Sequence, residues 1–285
     1  MPEGPPRSLL TPGRVRALLG RHGLRPSKAL GQHWLADPNT ARKVARLGGA
    51  GPGETVLEVG PGLGSLTLAL REAGAPVVAV EADPRLLPAL AEVLGDDPGV
   101  RVEVADALRV DLAALAPEAT RLVANLPYNI AATLVLKVLA EAPAIAHQLV
   151  MVQREVGERL AAAPGSAAYG APSAKLAARA TARILAPVSR HVFVPEPHVD
   201  SVLLEVTRRQ HPAAAGVDPA ELGRVIDAAF GQRRKTLRNA LRGLGLDAAG
   251  VEALGRAAGV DLGQRAERLG VESFAALARQ VGSPL

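Results

Sequence analysis

The residues Glu58-Val59-Gly60-Pro61-Gly62-Leu63-Gly64 join two apolar runs of the chain. Glycines in such a turn let the backbone approach a ligand closely, and a helix starting behind them leaves its first N–H groups free. The spacing is GxGxG with an acid two residues before the first glycine, which is not the GxGxxG of dinucleotide sites. Glu81 follows at the distance of about 20 residues where an acid accepts hydrogen bonds from ribose hydroxyls. Asp106 comes just after a third β-rich run, where a carboxylate can receive the amino group of an adenine ring. Together these residues describe a pocket for a nucleoside-containing cofactor. Taken alone, the glycine loop also suits a nucleotide-binding dehydrogenase or a plain tight turn.

A fourth element narrows the chemistry. Asn125-Leu126-Pro127-Tyr128 follows another β-rich run. An exocyclic adenine amine is a poor nucleophile, because its lone pair is delocalised into the ring. A site that alkylates it must orient the two N–H groups and draw the lone pair outward. The Asn125 side-chain oxygen and the Leu126 carbonyl, stiffened by Pro127, can accept those two bonds, while Tyr128 offers a stacking face for the base. A dehydrogenase has no use for this sequence. The chemistry so described is alkylation of an amine on a base taken out of its stack.

The elements that must hold these residues follow from the hydrophobic pattern. Strands are expected at 55–59, 77–81, 101–104, 121–124 and 148–152, with helices at 66–72, 85–94 and 131–141 between them. Such alternation predicts an α/β fold, a mainly parallel sheet covered by helices. Two further β-like runs, 180–185 and 202–206, flank the Pro-rich stretch from Pro187 to Pro197 and predict a seven-stranded sheet ending in an antiparallel pair. After His211 the strand signals stop, and short helices punctuated by Gly243, Gly245, Gly259 and Gly270 continue. The expected division is a basic arm over residues 1–28, an α/β domain over 29–210 and a small helical domain over 211–285.

Composition sets the outer bounds. At 285 residues the chain suits one large domain or a large one with a small one. It has no Cys, which excludes disulfides, thiolate zinc sites, iron–sulfur clusters and cysteine nucleophiles, and fits a reducing compartment. No run approaches the roughly 20 apolar residues of a membrane span, and no signal-peptide pattern opens the chain, so a soluble cytoplasmic protein is expected. His22, His147, His191, His198 and His211 show no metal-ligand spacing. Residues 1–28 carry six cations against one acid, residues 29–207 fifteen against nineteen, and residues 208–285 twelve against eight. Two basic ends around an acidic middle are an electrostatic footprint for a polyanion. The segment Gln232 to Arg242 holds Arg233, Arg234, Lys235, Arg238 and Arg242 without an acid. On a helix, Arg234, Arg238 and Arg242 would share one face, suited to phosphates. The Pro- and Gly-rich arm is expected to be mobile. Aromatics make up only 2% of the chain: Trp34, Tyr128, Tyr169, Phe193, Phe230 and Phe274. Aliphatics must therefore build the core, leaving aromatics free for a site.

The glycine loop resembles the S-adenosylmethionine loop of class I methyltransferases. Over residues 28 to about 280 the chain is similar to the ribosomal RNA adenine N6,N6-dimethyltransferases, whose relatives include the erythromycin-resistance methyltransferases. Lys28 to Leu35 matches that family's cofactor motif, with His33 for its usual Asn and Trp34 for its usual Phe. Pro164-Gly165 and Tyr169-Gly170 resemble its flexible loop, although Ala171-Pro172-Ser173 departs from the usual Leu-Ser-Val. Phe193 to Ser201 resembles its second base-stacking motif. Ala229 to Asn239 resembles a signature of the ribosomal branch, and Arg265-Ala266-Glu267 with Phe274 completes the likeness. The resemblance implies a class I methyltransferase sheet with a small helical domain that binds RNA. It also implies S-adenosylmethionine held by His33, Leu35, Gly60, Gly62, Glu81, Asp106 and Asn125. The adenine would be oriented by Asn125 and Leu126 and sandwiched by Tyr128 and Phe193, with Trp34 beside the cofactor, Tyr169 in a nearby loop, and Phe230 and Phe274 packing the helical domain. The implied reaction is dimethylation of two adjacent adenosines near the 3′ end of small-subunit rRNA during ribosome biogenesis, by a monomer. A resistance-type enzyme acting on 23S rRNA and a non-catalytic ribosome-assembly factor are the alternatives.

Overall fold

The computed structural model describes residues 8–27, 30–232 and 234–281, so Lys28 and Arg233 lie outside the described residues. The chain divides into two units. One runs to Gly157 and takes up Arg183–Thr207, and the other comprises Glu158–Ala182 and the chain from Arg208 onward.

In chain order the first unit holds α1 (Pro12–Arg21), β1 (Trp34–Leu35), α2 (Pro38–Leu47), β2 (Val56–Val59), α3 (Ser65–Glu72), β3 (Val77–Glu81), α4 (Leu87–Leu94) and β4 (Val100–Val104). It continues with α5 (Leu112–Leu115), β5 (Arg121–Asn125), α6 (Ala131–Glu141) and β6 (His147–Gln153). The start of α7 (Arg154–Leu160) follows, then, beyond α8 (Ala171–Ala177), most of β7 (Ala180–Val188), β8 (Phe193–Val194) and β9 (Ser201–Arg208). Seven strands pair in the order β4-β3-β2-β5-β6-β9-β7. Parallel pairing joins β4, β3, β2, β5 and β6. Burial explains the composition: β2 and β3 are buried at every residue, as parallel strands covered on both faces must be. The edge strand β4 is only partly buried. The expected antiparallel ending is present, with β9 set antiparallel to β6 and lying between β6 and β7.

Strand order reverses between β2 and β5. Ligands of open parallel sheets bind outside the carboxyl ends of the strands at such a reversal. The glycine loop leaves β2 there and Asn125 ends β5 there, so the topology brings together two motifs about 65 residues apart in sequence.

The described part of the N-terminal arm, residues 8–27, holds a packed helix, which corrects the expectation of mobility there. Thr11 caps α1 by accepting the Arg14 N–H, Pro12 opens the helix, and Val15 and Leu18 are buried together with Leu9 and Leu10. Apolar positions at helical spacing outweigh the Pro and Gly content. The arm is fastened further by ion pairs from Arg21 and His22 to Glu92 of α4.

The second unit holds α8, α9 (Pro219–Gly231), α10 (Leu237–Ala240), α11 (Ala248–Ala258) and α12 (Val271–Val281). In α9, Leu222, Val225, Ile226 and Ala229 are buried at the i, i+3, i+4, i+7 spacing of an amphipathic helix. The helical unit takes up the chain from Arg208 and also includes residues 158–182. Tyr169 is the reason. It is 1% exposed, packs edge-on against Phe230 with centroids 5.7 Å apart, and satisfies its hydroxyl by donating to the Leu269 carbonyl at 3.0 Å. Gly165 N–H donates to Glu267 O at 2.7 Å. Tyr169, in the loop between α7 and α8, is therefore a core residue of the helical unit. Phe230 and Phe274 pack there as expected.

The single helix expected over Gln232 to Arg242 is broken. α9 ends at Gly231, and a short α10 and a 3-10 turn (Leu241–Leu244) follow. The backbone N–H groups of Leu237 and Arg238 donate to Gln264 and Leu262 carbonyls, bonds that a continuous helix would forbid, while Leu237 and Leu241 fill the core. Among the described residues, no helix is long and apolar enough to cross a membrane.

Candidate active site

A cavity of about 270 Å³ opens where β2, β3, β4 and β5 end, and among its walls are the glycine loop, Glu81, Asp106 and Asn125 to Tyr128. Gly60 and Gly62 have φ of 72° and 58°, in the left-handed region that a side chain disfavours. The Gly62 N–H donates to Glu81 Oε2 at 3.1 Å and the Asp83 N–H to Glu81 Oε1 at 2.9 Å. Each carboxylate oxygen has further acceptor capacity, so Glu81 can pin the loop and still receive a diol. Burial raises its pKa, an effect offset in part by these N–H bonds. Gly64 caps α3 without a side-chain bond, leaving the helix start open toward the loop. Asp106 stands at the rim, half-exposed, with Oδ1 accepting the Leu108 N–H at 2.9 Å and Oδ2 3.4 Å from Arg109 Nε.

Glu58 also reaches the cavity wall, yet it is 1% exposed and accepts the Thr67 hydroxyl at 2.6 Å. Burial pushes its pKa up to about 8, so at neutral pH it is an uncharged acid. The sign for stability follows. Between the unfolded value near 4.5 and about 8, the folded state keeps a proton that the unfolded chain has released, so Glu58 lowers stability progressively as pH rises through that window. Glu58→Gln, which imitates the protonated acid, should match the parent's thermal midpoint near pH 5 and exceed it by several degrees at pH 8 to 9. Parallel midpoint-versus-pH curves for the two proteins would exclude this.

The turn from Asn125 to Tyr128 is tied to three other parts of the chain. Asn125 is the last residue of β5, and its Nδ2 donates to the His33 carbonyl at 3.1 Å, leaving Oδ1 as the acceptor available to a substrate. The Leu126 N–H donates to Met151 O at 3.1 Å, which ties the turn to β6. Tyr128 shares a 3.0 Å hydrogen bond with Ser201 Oγ, and burial raises its phenol's pKa. Its ring lies 5.7 Å from the His33 ring, at 26° between planes. Leu35 in β1 and His33 just before it line the cavity, and β1–β8 pairing sets Leu35 opposite Phe193. Trp34 is 5% exposed and packs on the loop at Gly62.

Phe193 is placed differently from the expectation. It is 3% exposed, sits in the hydrophobic core beside its cross-strand partner Leu35, and is not among the residues of the cavity wall. Gln32, on the cavity wall, and Asp83, buried next to Glu81, were not singled out by the sequence pattern. Gln32 Nε2 donates to Asp83 Oδ2 at 2.8 Å, linking the segment before β1 to the end of β3. Asp83 is held near a pKa of about 2, first by the Arg85 guanidinium. The signal was present in Asp83-Pro84, an acid before proline at a helix start.

In the helical unit, Arg234, Lys235 and Arg242 are exposed, whereas Arg238 is ion-paired to Glu252. Among the described residues no cluster of His, Asp and Glu suits a metal ion.

Comparison with known proteins agrees with this arrangement. The family described as ribosomal RNA adenine dimethylase matches residues 23–281. Proteins named ribosomal RNA small subunit methyltransferase A are 49% identical over 275 residues in Thermobifida fusca, covering 95% of each chain, and 51% identical over 277 residues in Kineococcus radiotolerans, covering 95% of this chain and 91% of that one. A dimethyladenosine transferase from Plasmodium falciparum shares the fold, with a TM-score of 0.72 at 21% identity over 87% of this chain and 97% of the other. The 23S rRNA methyltransferase ErmE gives a TM-score of 0.63 at 26% identity over 88% and 100%. With its sheet, its glycine loop and its Asn-Leu-Pro-Tyr turn, the chain belongs to the ribosomal RNA adenine dimethylase family.

Proposed function

We propose that the protein transfers methyl groups from S-adenosylmethionine to N6 of two adjacent adenosines near the 3′ end of 16S rRNA, acting as a cytoplasmic monomer on immature small subunits. The observation that carries this reading is the Asn125 amide, turned by the His33 carbonyl so that Oδ1 faces outward as an acceptor beside the glycine loop. The cavity fits the cofactor. Two glycines with positive φ leave room for close backbone approach, Glu81 offers carboxylate oxygens to ribose hydroxyls, and Asp106 at the rim can receive an adenine amino group. His33 and Leu35 also line the cavity. S-adenosylmethionine supplies a methyl group on a sulfonium whose departure as a neutral thioether needs no acid.

The chain's own part is positioning, which can supply most of the rate enhancement of such a transfer. Asn125 Oδ1 and the Leu126 carbonyl accept the two amine hydrogens and align the nitrogen lone pair. Tyr128 stacks on the base that has left its helix. The alkylated nitrogen is acidic, and its proton passes to water or to the Asn125 oxygen.

Arg234, Lys235 and Arg242, with Arg233, are the proposed phosphate contacts of the helical unit. Arg238 contributes less because Glu252 neutralises it. Changing Arg234, Lys235 and Arg242 together to Gln should raise KM for immature small subunits about tenfold or more and flatten its salt dependence by roughly one slope unit per lost phosphate contact. Steady-state kinetics over a salt series checks this, and an unchanged slope would remove these residues from the interface.

Mapping dimethyladenosine on both rRNAs after incubation with S-adenosylmethionine tests the whole reading. Modification of adjacent adenosines near the 16S 3′ end is expected. Modification of 23S rRNA alone would instead support the resistance-type activity, and cofactor binding without transfer an assembly factor.

A further inference from the structure

The mechanism above uses only the backbone of His33, yet its imidazole is the most constrained ring at the cavity. It packs against Tyr128 with centroids 5.7 Å apart and planes 26° from parallel, inside the range of offset aromatic pairs. Its Nδ1 lies 2.8 Å from the Pro195 carbonyl oxygen. A carbonyl only accepts, so Nδ1 carries the hydrogen and the ring's orientation is fixed by that bond. The backbone on either side is held as well. Trp34 and Leu35 pair with Val194 and Phe193, and the His33 carbonyl accepts from Asn125. Tyr128 is tied at its hydroxyl to Ser201. One ring thus joins the segment before β1, the turn after β5 and the loop at Pro195.

We propose that His33 is a positioning residue whose ring braces one face of Tyr128, so that the target adenine stacks on the other face. The proposal rests on Tyr128 being the base-stacking ring. The stack so formed runs in the order His33, Tyr128, adenine. It also commits the Nδ1 hydrogen of the His33 ring to the Pro195 carbonyl.

The test is single-turnover methyl transfer to immature small subunits at saturating S-adenosylmethionine and RNA, with the cofactor Kd measured in parallel by calorimetry. His33→Ala and His33→Phe are compared in the full chain, each also in a Tyr128→Ala background. His33→Ala should slow the single-turnover rate about threefold to tenfold, the size of one aromatic pair, while cofactor Kd stays within about twofold. His33→Phe keeps a ring against Tyr128 and should recover most of that rate. In the Tyr128→Ala background, His33→Ala should cost nothing further, because residues that act through one contact are not additive. Additive losses, a Phe variant no better than the Ala variant, or a defect that appears in cofactor Kd would each overturn the brace. A normal rate for Tyr128→Ala alone sinks the stacking role of Tyr128 itself. An impaired Tyr128→Ala beside a normal His33→Ala sinks only the brace.

Discussion

Asn125→Ala should abolish methyl transfer to within roughly a thousandth of the parent rate while leaving S-adenosylmethionine affinity within a few-fold. The magnitude follows from the chemistry: removing one preorganised hydrogen-bonding group aimed at developing charge costs about 10² to 10³ in kcat, and here the lost group also aligns the nucleophile. The affinity should survive because Gly60, Gly62 and Glu81 are held by bonds that do not involve Asn125. Asn125→Asp is the sharper companion. It keeps an acceptor toward the amine but replaces the donor that the His33 carbonyl accepts at 3.1 Å, setting oxygen against oxygen. It should be nearly as inactive as the alanine variant, because an amide held by one end positions the other. Single-turnover transfer of labelled methyl, with calorimetry of cofactor binding, distinguishes these outcomes. An alanine variant with near-normal turnover would remove Asn125 from the mechanism.

The central strands and the site loops were legible in the sequence for one physical reason. Parallel strands covered on both faces must be apolar throughout, so β2, β3, β5 and β6 stand out, and the polar residues that end them, Glu81 and Asn125, mark where the sheet meets a ligand. Short or nonlocal features left no such trace. β1 and β8 are two residues each, and their pairing spans about 160 positions, so nothing local marked Phe193 as a core residue beside Leu35. Tyr169 is expected in a loop near the site, but its ring is buried and its hydroxyl's partner is a carbonyl 100 residues away. The break between Gly231 and Leu237 is imposed by backbone bonds to Leu262 and Gln264 and not by any helix breaker after Gly231. The arm was the opposite case. The spacing of Leu9, Leu10, Val15 and Leu18 was present in the sequence, and the proline and arginine content obscured it. Scarcity of aromatics did point toward the cavity, though only Trp34 and Tyr128 reach it, while the other four rings pack cores.

The second large effect is expected at Gly62. Its φ of 58° costs an alanine about 1 to 2 kcal/mol, and an added Cβ would stand 2.6 Å from Trp34 Cδ1 and 2.9 Å from Nε1. Trp34 has little room to retreat, being 5% exposed and paired with Val194, so the loop itself must shift. Overpacking of that kind adds roughly 1 to 3 kcal/mol. The shift also pulls the Gly62 N–H from Glu81, the residue assigned to the ribose. Gly62→Ala should therefore weaken S-adenosylmethionine binding at least about tenfold, on the conversion of 1.4 kcal/mol per decade, and lower the thermal midpoint. Gly60→Ala supplies the contrast. Its φ of 72° carries a similar backbone cost, but the nearest atom to the new Cβ is Pro127 Cδ at 3.7 Å, an ordinary contact. Its midpoint should fall less than that of Gly62→Ala. Trp34→Ala added to Gly62→Ala should recover the overpacking part of the loss, and added to Gly60→Ala should recover none. Equal midpoint losses for the two glycine variants, or no recovery in the Gly62→Ala/Trp34→Ala pair, would show that Trp34 does not set the shape of the loop.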